Sequence, residues 1–89
     1  AQPSSGPVLY EAADVSFRLG RHLPARGLLE RYFEQGNPTP DSLLLAVKNE
    51  RALGSEPLVQ HYAYQLRVAY PDSPQAAEAK ELISGAEGG

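Results

Sequence analysis

The chain repeats itself at an offset of 34 residues, and this self-similarity constrains the fold more than any other feature of the sequence. Turn residues and small packing residues recur together. The matched pairs are Leu9 with Leu43, Ala12 with Ala46, Ala13 with Val47, Leu19-Gly20 with Leu53-Gly54, Ala25 with Val59, Tyr32 with Leu66, Thr39 with Ser73 and Pro40 with Pro74. A fixed period of this length is typical of helical hairpins that stack to share a core.

Proline and glycine divide the chain into five segments of helical length. We expect Gly20 and Gly54 to end helices in the left-handed conformation. Pro40 and Pro74 follow capping residues and suit a first helical turn, and Ser55 with Pro57 repeats that start signal. Apolar residues recur at spacings of three and four within the segments. In the first they are Leu9, Ala12, Ala13, Val15 and Leu19. No segment alternates with period two, so no sheet is expected.

These signals predict an all-α fold of about five helices. We assign residues 1–6 to an irregular lead-in, 7–37 to a first repeat and 38–71 to a second. Residues 72–85 form a closing helix that ends at Gly85, and 86–89 form a disordered tail. The run Leu43-Leu44-Leu45 cannot be buried on one helix face, so Leu44 or Leu45 either meets a neighbouring helix or is exposed for a partner.

The composition excludes several classes of function. The 89 residues carry a net charge of -3 with both signs interspersed, which argues against nucleic-acid binding. There is no cysteine, and no apolar run approaches the roughly 18 residues that span a bilayer. Because methionine is absent, even at position 1, we expect a processed protein or, preferably, a piece of a longer one, since about three repeats are normally needed for stability.

The chain resembles the tetratricopeptide repeat in its 34-residue period, in the Leu-Gly pairs that end helices and in the small residues where helices pack. Ser16 and Glu50 depart from that pattern, because tyrosine is usual at their position. The resemblance implies helical hairpins in a right-handed superhelical stack. It also implies a concave, protein-binding face on the first helix of each pair. Carried onto this chain, that face contains Tyr10, Asp14, Phe17, Arg18, Leu44, Lys48 and Arg51.

Three stretches resemble one family more closely: 23–33 (Leu-Pro-Ala-Arg leading to Tyr-Phe), 42–48 (Ser-Leu-Leu-Leu-Ala-Val-Lys) and 62–73 (Tyr-Ala-Tyr-Gln-Leu-Arg with Tyr-Pro-Asp-Ser). Together they are similar to the C-terminal repeats of the type IV pilus biogenesis and stability proteins, the PilF/PilW family. The resemblance implies a pilotin lipoprotein on the periplasmic side of the outer membrane of a Gram-negative bacterium. Its partner would be the pilus secretin, and its lipid anchor would lie outside this chain.

No residue pattern points to catalysis, a cofactor or a metal. His22 and His61 are isolated, without a carboxylate at a ligand spacing, and are expected in a turn and on a helix surface. Asp41 and Asp72 suit helix starts better than acid catalysis. Tyr10 and Tyr64 fall off the apolar stripes and are contact candidates, whereas Tyr32, Tyr62 and Tyr70 are expected to pack internally.

Three functions follow as alternatives. The first is a non-catalytic scaffold in pilus and secretin assembly. The second is a generic repeat adaptor with a different protein client, and the third is a regulatory domain on a catalytic subunit. Each would use the same face, and this chain could equally be the closing end of an array whose binding repeat lies elsewhere.

Overall fold

A computed structural model describes residues 6–88 of the chain and the side chains of residues 6–84. This part contains five α-helices and no strand, which confirms the all-α prediction. The helices are α1 (Gly6–Arg18), α2 (His22–Glu34), α3 (Pro40–Leu53), α4 (Glu56–Ala69) and α5 (Pro74–Gly88). The predicted lead-in, except for Gly6, and the last residue of the predicted disordered tail lie outside the described residues.

Capping residues set several helix ends as predicted. The Thr39 hydroxyl accepts a hydrogen bond from the Ser42 backbone N–H at 3.1 Å, and the Ser42 hydroxyl oxygen accepts one from the Thr39 N–H at 2.9 Å. This reciprocal capping box starts α3. Gly20 and Gly54 have φ values of 80° and 75°, the left-handed conformation that favours glycine. The Ser73 hydroxyl accepts from the Ala76 N–H at 3.0 Å at the start of α5.

One predicted cap does not form, and one predicted helix end is wrong. Ser55 directly precedes α4, as predicted, but its side chain makes no cap; its hydroxyl accepts a hydrogen bond from Arg26. Pro24 lies in the first turn of α2, which begins at His22. The last helix continues through Gly85 to residue 88. A glycine inside a helix costs only about 1 kcal/mol, and the alanine and glutamate that follow favour helix.

Helix α3 lies at the centre of the molecule and contacts all four other helices. Helices α1 and α2 form one hairpin, α3 and α4 form the next, and α5 packs against both α3 and α4. The apolar core runs through the chain; its most buried members are Leu9, Ala13, Ala25, Leu43, Val47, Val59 and Leu66, each at most 2% exposed. The small pairs Ala13 with Ala25 and Val47 with Val59 are thus buried within the hairpins as predicted.

The central position of α3 explains its run of leucines. Leu44 and Leu45 are both buried, 8% and 5% exposed, because α3 has neighbours on every side. In α1, by contrast, the predicted burial of Val15 and Leu19 is wrong, since these residues are 52% and 63% exposed. Val15 lies about 200° around the helix from the buried Ala13, and Leu19 follows the end of α1.

The tyrosines divide nearly as predicted. Tyr62 is buried and Tyr32 and Tyr70 are half-buried, while Tyr64 is exposed. The Tyr70 hydroxyl donates a hydrogen bond to the Pro38 carbonyl, which ties the end of α4 to the loop before α3. Tyr10, predicted to fall off the apolar stripe, is half-buried and packs against the core.

Candidate functional site

A groove of about 290 Å³ lies between α1 and α3. It brings together residues from α1 and α3, two helices that correspond to each other at the 34-residue offset. We call it the α1/α3 groove; its lining is Tyr10, Asp14, Phe17, Arg18, Asp41, Leu44, Leu45 and Lys48. Six of the seven residues predicted for a concave face therefore border one space. Arg51 is exposed at the last turn of α3 and is not part of this lining.

The floor of the α1/α3 groove is apolar and held by packing. Leu44 and Leu45 belong to the buried core. The Tyr10 ring packs at 6.1 Å, centroid to centroid, from Tyr32. The Phe17 ring meets His22 edge-on at 5.4 Å. Because α2 supports both rings from behind, the groove presents aromatic surface whose position is fixed before any partner arrives.

Two ion pairs border this floor. Arg18 Nη2 lies 2.7 Å from Asp14 Oδ2 within α1, and Lys48 Nζ lies 3.1 Å from Glu78 Oε2 on α5. The Lys48 pair joins the second hairpin to the closing helix. Both pairs are partly exposed to solvent, so they stabilise the fold little, and the Arg18 guanidinium, 73% exposed, is accessible to a ligand.

One carboxylate of the groove lies where a helix begins. Asp41 lies in the first turn of α3 and accepts a hydrogen bond from Gln75 Nε2 at 2.8 Å. Burial, followed by the nearby carboxylates of Asp41 and Asp14, raises the pKa of the Tyr10 hydroxyl. Arg18 lies beside Asp14 and Lys48 beside Glu78, so acidic and basic groups are interspersed along the groove.

Sequence reasoning missed Asp41 and Leu45 as groove residues. The position of Asp41 at the start of a helix is enough to explain an acidic residue there. Nothing in its spacing shows that its side chain also lines a groove. Leu45 corresponds at the 34-residue offset to Glu11, which is exposed. The signal that could have found it is the leucine run itself, which required a further neighbour for α3.

A second polar cluster joins the two hairpins and is buried. Arg26 donates to both carboxylate oxygens of Glu50, at 3.0 Å from Nε and 2.6 Å from Nη2, and also to the Ser55 hydroxyl at 2.9 Å. Asn49 accepts from His22 Nδ1 and returns a hydrogen bond to the His22 carbonyl, both at 2.9 Å. Glu50 is 2% exposed. This cluster fixes how α2 meets α3.

His61 lies on a helix surface as predicted, whereas His22, predicted in a turn, lies in a helix. His22 is the first residue of α2 and His61 is exposed on α4, hydrogen-bonded to Gln65. Within residues 6–88, no group of three or more histidines, aspartates and glutamates is placed to hold a metal ion. None of the helices in that range is long and apolar enough to cross a membrane.

Comparisons with known protein families, with curated proteins and with solved structures found no match to this chain.

Proposed function

We propose that this chain is a non-catalytic protein-interaction scaffold that binds a peptide segment of its partner in the α1/α3 groove. The observation that carries the proposal is the convergence of aromatic, leucine and charged side chains from two separate helices on one open space. Aromatic anchors beside accessible Arg and Lys suit recognition of a helical or extended peptide.

The finer fold that we propose is a right-handed stack of tetratricopeptide-type hairpins closed by α5. Its support is the equivalence of the two hairpins. Each contains a first helix of similar length, a left-handed glycine at the same register position and a second helix that packs back on the first. The contacts of α3 with both α1 and α5 also support this stacking.

We propose type IV pilus biogenesis as the setting, with the pilus secretin as partner, on the strength of the three stretches that resemble the pilus family. The chain would then act on the periplasmic side of the outer membrane as part of a pilotin whose lipid anchor lies outside it. The alternative is a generic adaptor or regulatory domain that uses the same groove for a different protein.

The α1/α3 groove is tested by titrating fluorescent secretin-derived segments with the unaltered chain and with Phe17→Ala and Arg18→Glu variants. We expect each variant to bind about tenfold more weakly, the loss typical of an interface anchor. Arg31→Glu is the matched control for Arg18→Glu, because it makes the same charge change on an exposed position outside the groove. Unchanged affinity in both groove variants would exclude this face.

The pilus setting has a separate test. If none of a set of overlapping segments covering the secretin binds to the folded, unaltered chain, the secretin proposal is wrong. The adaptor alternative would then be pursued with other clients. Circular dichroism of every variant shows whether the helical fold is intact, so a loss of binding is not confused with unfolding.

A further inference from the structure

A second groove, of about 480 Å³, opens between α4 and α5. Its apolar part is formed by Ala63 on α4 and by Ala76, Ala79 and Ile83 on α5. We call it the α4/α5 groove. Its volume falls within the range of about 300–1,000 Å³ that is typical of ligand-binding clefts. It shares no lining residue with the α1/α3 groove.

The 34-residue offset explains why this groove is open. The equivalent crevice between α2 and α3 is filled by the Arg26–Glu50 pair and by the buried Leu29. At the corresponding positions of the α4/α5 groove stand Gln60, Ser84 and Ala63. These side chains fill less space than Arg26, Glu50 and Leu29 do. The first junction is also covered by α4: Ser55, just before that helix, accepts a hydrogen bond from Arg26, and the Tyr62 ring packs 5.5 Å from that of Phe33.

The charge of the α4/α5 groove is of one sign. Arg67 and Lys80 are the only ionisable side chains in its lining, although the chain as a whole carries a net charge of -3. One lining residue does contact a carboxylate, that of Glu56, which accepts a hydrogen bond from Gln60 at 2.9 Å. Both cations are exposed. Lys80 takes part in none of the ion pairs among the described side chains. The Arg67 guanidinium lies 5.3 Å from the centroid of the Tyr64 ring, which orients it at the groove edge.

We propose that the α4/α5 groove binds an acidic amphipathic helix of a partner protein. Apolar side chains of that helix, spaced three and four residues apart, would enter the groove between Ala76 and Ile83, a length of about 10 Å or two helical turns. Aspartates or glutamates beside them would pair with Arg67 and Lys80. An added β-strand is a poorer fit, because the described part of the chain has no sheet edge to receive one.

The first measurement uses three designed 15-residue peptides and fluorescence anisotropy with the full chain. One carries leucines at positions i, i+3, i+4 and i+7 with flanking glutamates, the second replaces the glutamates by lysines, and the third replaces the leucines of the acidic peptide by alanines. We expect the acidic leucine peptide to bind at least about tenfold more tightly than either of the others, and its affinity to fall as salt is added.

A charge-reversal variant assigns the site. In Arg67→Glu/Lys80→Glu we expect the preference to invert, so that the lysine peptide binds better than the acidic one. The matched control is Arg21→Glu/Arg31→Glu, which reaches the same net charge through exposed positions outside the groove. It should keep the original preference. Because all four positions are exposed, the fold should survive in both variants, and circular dichroism verifies this.

Three results would overturn the proposal. The acidic and basic leucine peptides could bind the unaltered chain equally, or neither could bind. The groove variant and its control could lose affinity equally, which would show an effect of net charge alone. Finally, sedimentation could reveal a dimer that the groove variant abolishes, which would assign the groove to a second copy of this chain. Phe17→Ala should not affect acidic-peptide binding, so the outcome is independent of the function proposed for the α1/α3 groove.

Discussion

The carboxylate of Glu50 is the most deeply buried charge among the described side chains, and its surroundings compensate for the loss of water. Arg26 meets both of its oxygens in the forked geometry that suits a guanidinium and a carboxylate. The hydrogen bond to Glu50 raises the pKa of Arg26, so the guanidinium stays charged. Because desolvation offsets much of the attraction in such a pair, its main effect is to fix how α2 sits against α3.

Removal of Arg26 should therefore destabilise the fold more than its half-buried position suggests. In Arg26→Met the Glu50 carboxylate remains buried without its guanidinium, and we expect a clear fall in the midpoint of urea unfolding. Arg31→Met, an exposed position on the same helix, should change the midpoint little. The double variant Arg26→Met/Glu50→Leu should recover much of the loss, because an apolar pair needs no desolvation. If Arg26→Met and Arg31→Met behave alike, the ion pair contributes nothing to the junction.

The sequence predicted individual side-chain pairings less well than it predicted helices. Glu50 was recognised only as a departure from a repeat pattern, and Arg26 only as part of a resemblance. Two charges that lie 24 residues apart give no local signal that they will pair, since the pairing depends on how two hairpins meet. Asn49 and His22 were missed for the same reason.

Among the elements, helix ends with a local chemical cause were the most predictable. The Thr39 hydroxyl accepts a hydrogen bond from the backbone N–H of Ser42, three residues further on, and Gly54 adopts a conformation that other residues avoid. Neither helix end therefore depends on the rest of the molecule. The Ser55 side chain makes no cap, and its hydroxyl accepts a hydrogen bond from a distant arginine that no local pattern identifies. Val15 was misplaced because periodicity identifies an apolar face without showing which side a neighbour covers.

Two glycines test whether the local backbone conformation decides the effect of a substitution. Gly54→Ala should destabilise the chain by about 1 kcal/mol, because alanine is strained at a φ of 75°. Gly27 lies inside α2, where an added Cβ would meet nothing within 4 Å. Gly27→Ala should therefore stabilise the chain by about 0.5–1 kcal/mol. Thermal unfolding followed by circular dichroism measures both; opposite signs are expected, and the same sign in both variants would contradict the assignment.

The molecule as a whole is organised around α3, which has a neighbour on each side. The five-helix, all-α architecture followed from the period and the turn residues. The α1/α3 groove was largely foreseen because first helices at equivalent register lie side by side. The α4/α5 groove was not foreseen, because its existence depends on short side chains at positions that are filled in the other junction.

Strong alkali should weaken the whole fold. Burial, followed by nearby acidic groups, raises the pKa values of Tyr10 and Tyr62 above 10.0. The folded chain thus holds these protons more tightly than the unfolded chain, so the contribution of the two hydroxyls to stability is constant below a pH of about 10 and falls as the pH rises through their raised pKa values. We expect the urea midpoint to decline above that pH, and to decline less in Tyr10→Phe and Tyr62→Phe. An identical decline in the unaltered chain and both variants would exclude these hydroxyls as the cause.

The polar cluster between the hairpins also limits how this chain could be lengthened or recombined. If the second hairpin were duplicated behind itself, the new copy of Glu50 would face Gln60, an amide, where the original faces Arg26. Asn49 would likewise face Glu56 in place of His22. Each unit is therefore matched to the particular neighbour it follows. A recombined chain would keep these contacts only if α2 and α3 were moved together.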